Sequence, residues 1–188
     1  MFYWNRTTFH PGWVASRFVP TRPTPLVTAQ VFSAVDRIHF YPFMLDAPLT
    51  FTGARLRTST GAAGTSVKGA IYDNSAVSAR PLGAPLFSDN TGVDCASNNT
   101  DYTLAFGAGT LRPWTIYWVA LKCDDATATF WAVSSTDVYS QTLMGGTSVC
   151  NCMNYYYADA YSNAMPTLAE GFGPTVAANA VPHLWFAT

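Results

Sequence analysis

The sequence predicts an all-β fold, a jelly-roll-like antiparallel β-sandwich of about eight strands with an extended N-terminal arm. Three observations point there. Charged helix formers are nearly absent: the chain has one glutamate, Glu170, and two lysines, Lys68 and Lys122. Threonine, valine and aromatic residues, which suit a pleated and half-buried surface, are plentiful. Finally, 13 glycines and 12 prolines break the 188 residues into short segments, too short for long helices.

Residues 1–35 form the arm and 36–188 the sandwich domain. The arm carries Arg6, Arg17 and Arg22 and no acid before Asp36, and Pro11, Pro20, Pro23 and Pro25 interrupt regular structure. Its aromatic residues, Trp13 among them, need cover from water. An arm lying along a partner surface and a strap packed on its own sandwich both satisfy that need. In the first case Arg6, Trp13, Arg17 and Arg22 are the attachment residues.

The strands follow in order. Residues 37–45 form the first, with Pro42 marking an edge or bulge. Residues 49–59 form the second, and its apolar phase shifts across Gly53 as a bulge would shift it. Gly61-Ala62-Ala63-Gly64 is a turn. Residues 66–73 alternate, 73–85 read as a loop, and short strands follow at 86–87, 91–96 and 101–106. Residues 115–123 are almost wholly apolar, as a central strand covered on both faces requires. Residues 128–134 are expected to close a hairpin with them through Asp124-Asp125-Ala126. Residues 139–173 read mostly as loop, and 181–188 as the closing strand. The expected core includes Ile71, Leu104, Ile116, Trp118, Val119, Leu121, Phe130 and Trp131.

Composition limits function. Net charge is −1 and no basic stripe appears beyond the arm, so nucleic acid is not an expected partner. No apolar run approaches the ~18 residues of a membrane span, and the N-terminal residues lack a signal-peptide layout. Charged residues are only 11% of the chain, which suggests surface covered by other subunits. Of the four cysteines, Cys95 and Cys123 sit near strand ends and could meet across a sheet, while Cys150 and Cys152 share a loop. Free, partly buried thiols are the expected state, and the scattered His10, His39 and His183 suggest no metal site.

Two stretches carry a family resemblance. Val67-Lys68-Gly69-Ala70-Ile71-Tyr72-Asp73, followed by Arg80-Pro81-Leu82-Gly83-Ala84-Pro85-Leu86, is one. Leu111-Arg112-Pro113-Trp114-Thr115-Ile116-Tyr117-Trp118-Val119-Ala120 is the other. Together they resemble small phage virion proteins of the tail-fibre and tail-associated kind, with Trp114-Thr115 standing where those proteins usually have glycine. The resemblance covers residues 37–135 and the closing strand. It implies a jelly-roll-like sandwich, often trimeric, made in the host cytoplasm and carried on the virion, with other virion proteins as partners.

Catalytic patterns are missing from the sequence: it has no Gly-x-Ser-x-Gly elbow, zinc helix or phosphate loop. Its aspartates mostly follow turn signals, where Asp bonds local backbone, and Asp124-Asp125 reads as a hairpin tip rather than a calcium site. The expectation is a non-enzyme without cofactor or metal. The most informative segment is Cys150 to Asn163. Tyrosine mixed with Asn and Ser is the composition of recognition loops, so Asn154, Tyr155, Tyr156, Tyr157, Asp159 and Tyr161 are the candidate ligand residues, with host-surface glycan as the ligand. The same tyrosines could instead pack at a subunit interface or over the sheet. A tail-fibre or tail-tip component that binds the host surface is the expected function. A capsid decoration protein is the alternative.

Overall fold

The computed structural model of the chain describes residues 18–20, 27–31, 35–45, 47–133, 154–177, 181–182 and 184–187. In chain order the strands are β1 (Phe18–Pro20), β2 (Val27–Val31), β3 (Arg37–Met44), β4 (Leu49–Phe51), β5 (Gly53–Thr60), β6 (Ser66–Asn74), β7 (Pro81–Asp94) and β8 (Asp101–Leu104). Then come β9 (Gly109–Leu111), β10 (Ile116–Cys123), β11 (Thr129–Val133), β12 (Asn154–Ala158), β13 (Thr175–Ala177), β14 (Val181–Pro182) and β15 (Leu184–Ala187). The described residues contain no α-helix, and the chain is an all-β antiparallel sandwich.

One sheet runs β1-β15-β5-β11-β14, with β2 added to β11 and β8 to β5. The other runs β13-β12-β3-β10-β6-β7, and β4 and β9 form a separate ribbon. Between the sheets lies a core that includes Tyr41, Phe43, Leu56, Ile71, Val119, Leu121, Phe130 and Phe186. Strand alternation sends Ile38, Phe40, Ala70, Tyr72, Trp118 and Ala120 to the opposite, outer face of the second sheet. There they are covered by Tyr155, Met165, Leu168 and Phe172. β10 is therefore buried on both faces, as its unbroken apolar run requires.

The cover is an irregular strap, residues 159–174, that crosses the outer face from β3 to β7. It holds no ladder of its own, so its backbone is tied to the sheet one group at a time. The Asp159 and Tyr161 amides donate to Asp36 O and Oδ1, at 3.0 and 2.8 Å. Met165 N donates to Asn90 Oδ1, and Tyr72 Oη to Pro166 O. Leu168 and Gly83 exchange two backbone bonds of 2.9 Å, Ser75 Oγ donates to Glu170, and Arg80 donates to Phe172 O.

Several sequence expectations need correction. β10 and β11 are not a hairpin: β10 pairs with β3 and β6, whereas β11 pairs with β2, β5 and β14. The connection crosses from one sheet to the other, with Asp125 Oδ1 accepting bonds from Thr127. A turn signal says where the chain reverses, not which sheet receives the returning strand. The stretch 73–85 is not all loop, because β7 starts at Pro81 and runs unbroken to Asp94, taking in the strand expected at 86–87 and most of the one expected at 91–96. Pro81 and Pro85 are tolerated because β7 is an edge strand, and register shifts against β6 absorb the irregularity. Within 139–173, residues 154–158 are a strand paired to β3 and β13. The phase shift at Gly53 marks a change of partner: β4 pairs with β9, and β5 joins the first sheet.

Of the residues expected in the core, Ile116 is not buried. It is 43% exposed at the start of β10, whereas Trp131 is mostly buried, with Nε1 donating to Asn99 Oδ1. From the N-terminal stretch, β1 pairs with β15 and β2 with β11, so these residues are strapped onto their own sandwich.

Candidate functional site

The tyrosine-rich segment divides into structural and displayed residues. Tyr155 is buried on the outer face, its ring 5.3 Å from that of Trp118. Tyr156 is half-buried, with the Arg37 guanidinium 4.5 Å from its ring centre. Tyr157 is 40% exposed, and its ring meets Phe172 edge-on at 4.9 Å. Asp159 pairs with Lys122, and the carbonyl of Tyr161 accepts from Lys68 at 2.8 Å. Burial pushes the Tyr161 phenol up to about 12, with the charge of Asp124 adding to the effect. Asn154 contributes its backbone to β12. Strand and strap thus bring these residues together, and among Tyr155, Tyr156, Tyr157, Asp159 and Tyr161 the one with substantial exposure is Tyr157. Arg6, Trp13, Arg17 and Arg22 lie outside the described residues, as do Cys150 and Cys152.

A second cluster forms where β3 ends, β10 begins and β6 turns toward β7. Met44 and Ile116 are register partners across β3 and β10. They are 48% and 43% exposed, Trp114 is 61% exposed, and Val77, in the β6–β7 turn, is 89% exposed. These are four of the seven large apolar residues that stand exposed among those described. Their positions at strand ends and turns place all four at one end of the second sheet.

Trp114 also sits at φ 58°, in the left-handed region. A proline followed by a residue at positive φ is the type II arrangement, whose third position favours glycine. A bulky side chain there costs about 1 kcal/mol. The turn is nevertheless firmly held: Trp114 N donates to Leu45 O at 2.8 Å, and Arg112 N to Tyr117 Oη at 3.0 Å. Sequence reasoning did not assign this cluster. The available signal was Trp114 standing at a turn position suited to glycine.

The polar groups in the interior serve the fold. Asp89 is buried and accepts backbone bonds from Thr91, Gly92 and Ala105. Cys95 and Cys123 are free and buried, and burial raises both thiols to about 12, so they stay protonated and weakly nucleophilic. Burial, with the Arg37 charge adding to it, lowers His39 to about 4. Among the described residues, no group of three or more His, Cys, Asp or Glu side chains is placed to hold a metal ion. Comparison with known proteins finds no matching family model and no matching curated relative.

Proposed function

We propose that this chain is a non-catalytic surface module of a phage particle, a tail-fibre or tail-tip component that binds host-surface glycan through the Trp114 end of its second sheet. The observation that carries this reading is Trp114 itself. A tryptophan held at positive φ and left mostly exposed costs stability and adds nothing to the core, so its use lies outside the fold. A sugar ring fits the scale of the cluster. Four side chains are far fewer than the about 20–30 residues a side of a stable protein interface. They suffice to stack against the C–H face of a pyranose, while the exposed Arg112 nearby can meet hydroxyls or an acidic sugar. The virion setting is supported by the strand-and-turn resemblance to phage tail-associated proteins. The capsid-decoration alternative has less support, because it needs a free N-terminal arm and parts of that stretch are paired into the sandwich.

A glycan array probed with the full chain tests the proposal. Binding is expected to a bacterial surface polysaccharide, with a loss of at least about tenfold in Trp114→Gly, equivalent to about 1.4 kcal/mol. The same substitution relieves the strained turn, so the variant should melt no lower than the parent. Equal binding by parent and variant, or no glycan bound by the parent, overturns the reading.

A further inference from the structure

Lys68 and Lys122, the two lysines of the chain, are direct register partners on β6 and β10. Both share the outward phase of Ala70 and Ala120, so they rise from the same face into the underside of the strap. The Lys122 side chain has no exposed surface, and that of Asp159 is 14% exposed. Lys122 Nζ donates to the Asp159 carboxylate, to Ala160 O at 2.8 Å and to Asn163 O at 3.3 Å. Lys68 Nζ donates to the same Asn163 carbonyl at 3.3 Å and to Tyr161 O, and lies over the Tyr161 ring. Asn163 Nδ2 donates to Asp159 Oδ1 at 2.8 Å and holds the carboxyl against the Lys122 amine.

We propose that Lys122 and Asp159 are joined by an intramolecular isopeptide bond. A C–N bond forms between Lys122 Nζ and Asp159 Cγ, and the bond from Cγ to one carboxylate oxygen breaks. Two of the three ammonium protons leave with that oxygen as water, and the third stays on the amide nitrogen. No other reagent is consumed. Two features favour the step. The reacting groups are held in contact beneath the strap, an arrangement that can supply effective molarities of about 10⁵–10⁸ M. The charged pair pays a desolvation penalty that a neutral amide does not. The product ties the irregular strap covalently to the central strand of the second sheet. This inference does not depend on the proposed glycan site.

Mass spectrometry of the full chain, denatured, tests it. The intact mass is expected to fall short of the sequence mass by one water, about 18 Da, as a condensation requires. Digestion should yield a branched peptide linking the segments that contain Lys122 and Asp159. Lys122→Arg and Asp159→Ala should each restore the full mass. A parent chain at its full sequence mass overturns the proposal, and so does a dehydration that persists in Lys122→Arg or maps to an imide at Asp159. If either variant fails to fold, the presence or absence of the branched peptide in the parent decides.

Discussion

His39 shows how burial at a single residue becomes a property of the whole chain. It lies fully buried, its ring 6.3 Å from that of Tyr41, and its pKa is lowered from 6.5 to about 4. Between those values the unfolded chain takes up a proton that the folded chain refuses. The contribution of His39 to stability is therefore complete above about pH 6.5 and declines as the pH falls toward about 4. The expected loss from this residue is about 2 kcal/mol between about pH 7 and about pH 5. Denaturant melts at the two pH values should show it, and His39→Leu should flatten the slope. An unchanged slope in that variant would mean the imidazole is charged in the fold. Trp114 presents the opposite case, a residue whose cost the fold absorbs and whose benefit, in the function proposed above, comes from a ligand.

β10 decides more than any other element. Tyr117, Val119, Leu121 and Cys123 face the inter-sheet core, while Trp118 and Ala120 face the strap. Trp118 links three parts of the protein: it packs on Tyr155 of β12, it lies under the strap, and its Nε1 donates to Asn74 Oδ1 at 2.8 Å. Trp118→Ala should cost about 3–5 kcal/mol, the range for removing a large aromatic from a packed site. A loss below about 1 kcal/mol in a denaturant melt would show that the strap does not depend on the sheet for its packing. The strap's polar ties spread along its whole length, so this loss should not be confined to one end of the sheet.

For the whole molecule, the small charged fraction and the exposed apolar cluster bear on assembly. A sandwich interior about 10 Å thick holds a limited number of aromatic side chains. The second sheet extends that capacity by burying its outer face as well, which accommodates Phe40, Tyr72, Trp118 and Tyr155 without a second subunit. Any self-association then rests on other surface. One such surface is β7, an edge strand of 14 residues whose Leu86 is exposed. We expect a homotrimer, on the strength of the family resemblance and the low charge, and light scattering coupled to size exclusion at micromolar concentration should give three times the chain mass. A monomer would reject self-association by the isolated chain.

The strand-rich class, the central place of residues 115–123 and the turn at 61–64 were legible in the sequence because each rests on local chemistry. Alternation sets which side chains share a face, an unbroken apolar run requires cover on both sides, and Gly64 adopts φ 84° as a turn glycine can. Non-local pairing was not legible. The tripeptide Asp124-Asp125-Ala126 serves equally well for a hairpin or for a crossing between sheets, and only the packing of both faces selects the crossing. The candidate site divides the same way. Composition drew attention to Tyr155, Tyr156 and Tyr157, but whether a tyrosine is displayed or buried depends on which strand its own strand joins. Tertiary structure alone placed Met44, Val77, Trp114 and Ile116 at one end of one sheet, and Lys68 beside Lys122 beneath the strap. Those residues are far apart in the chain, and no local preference relates them.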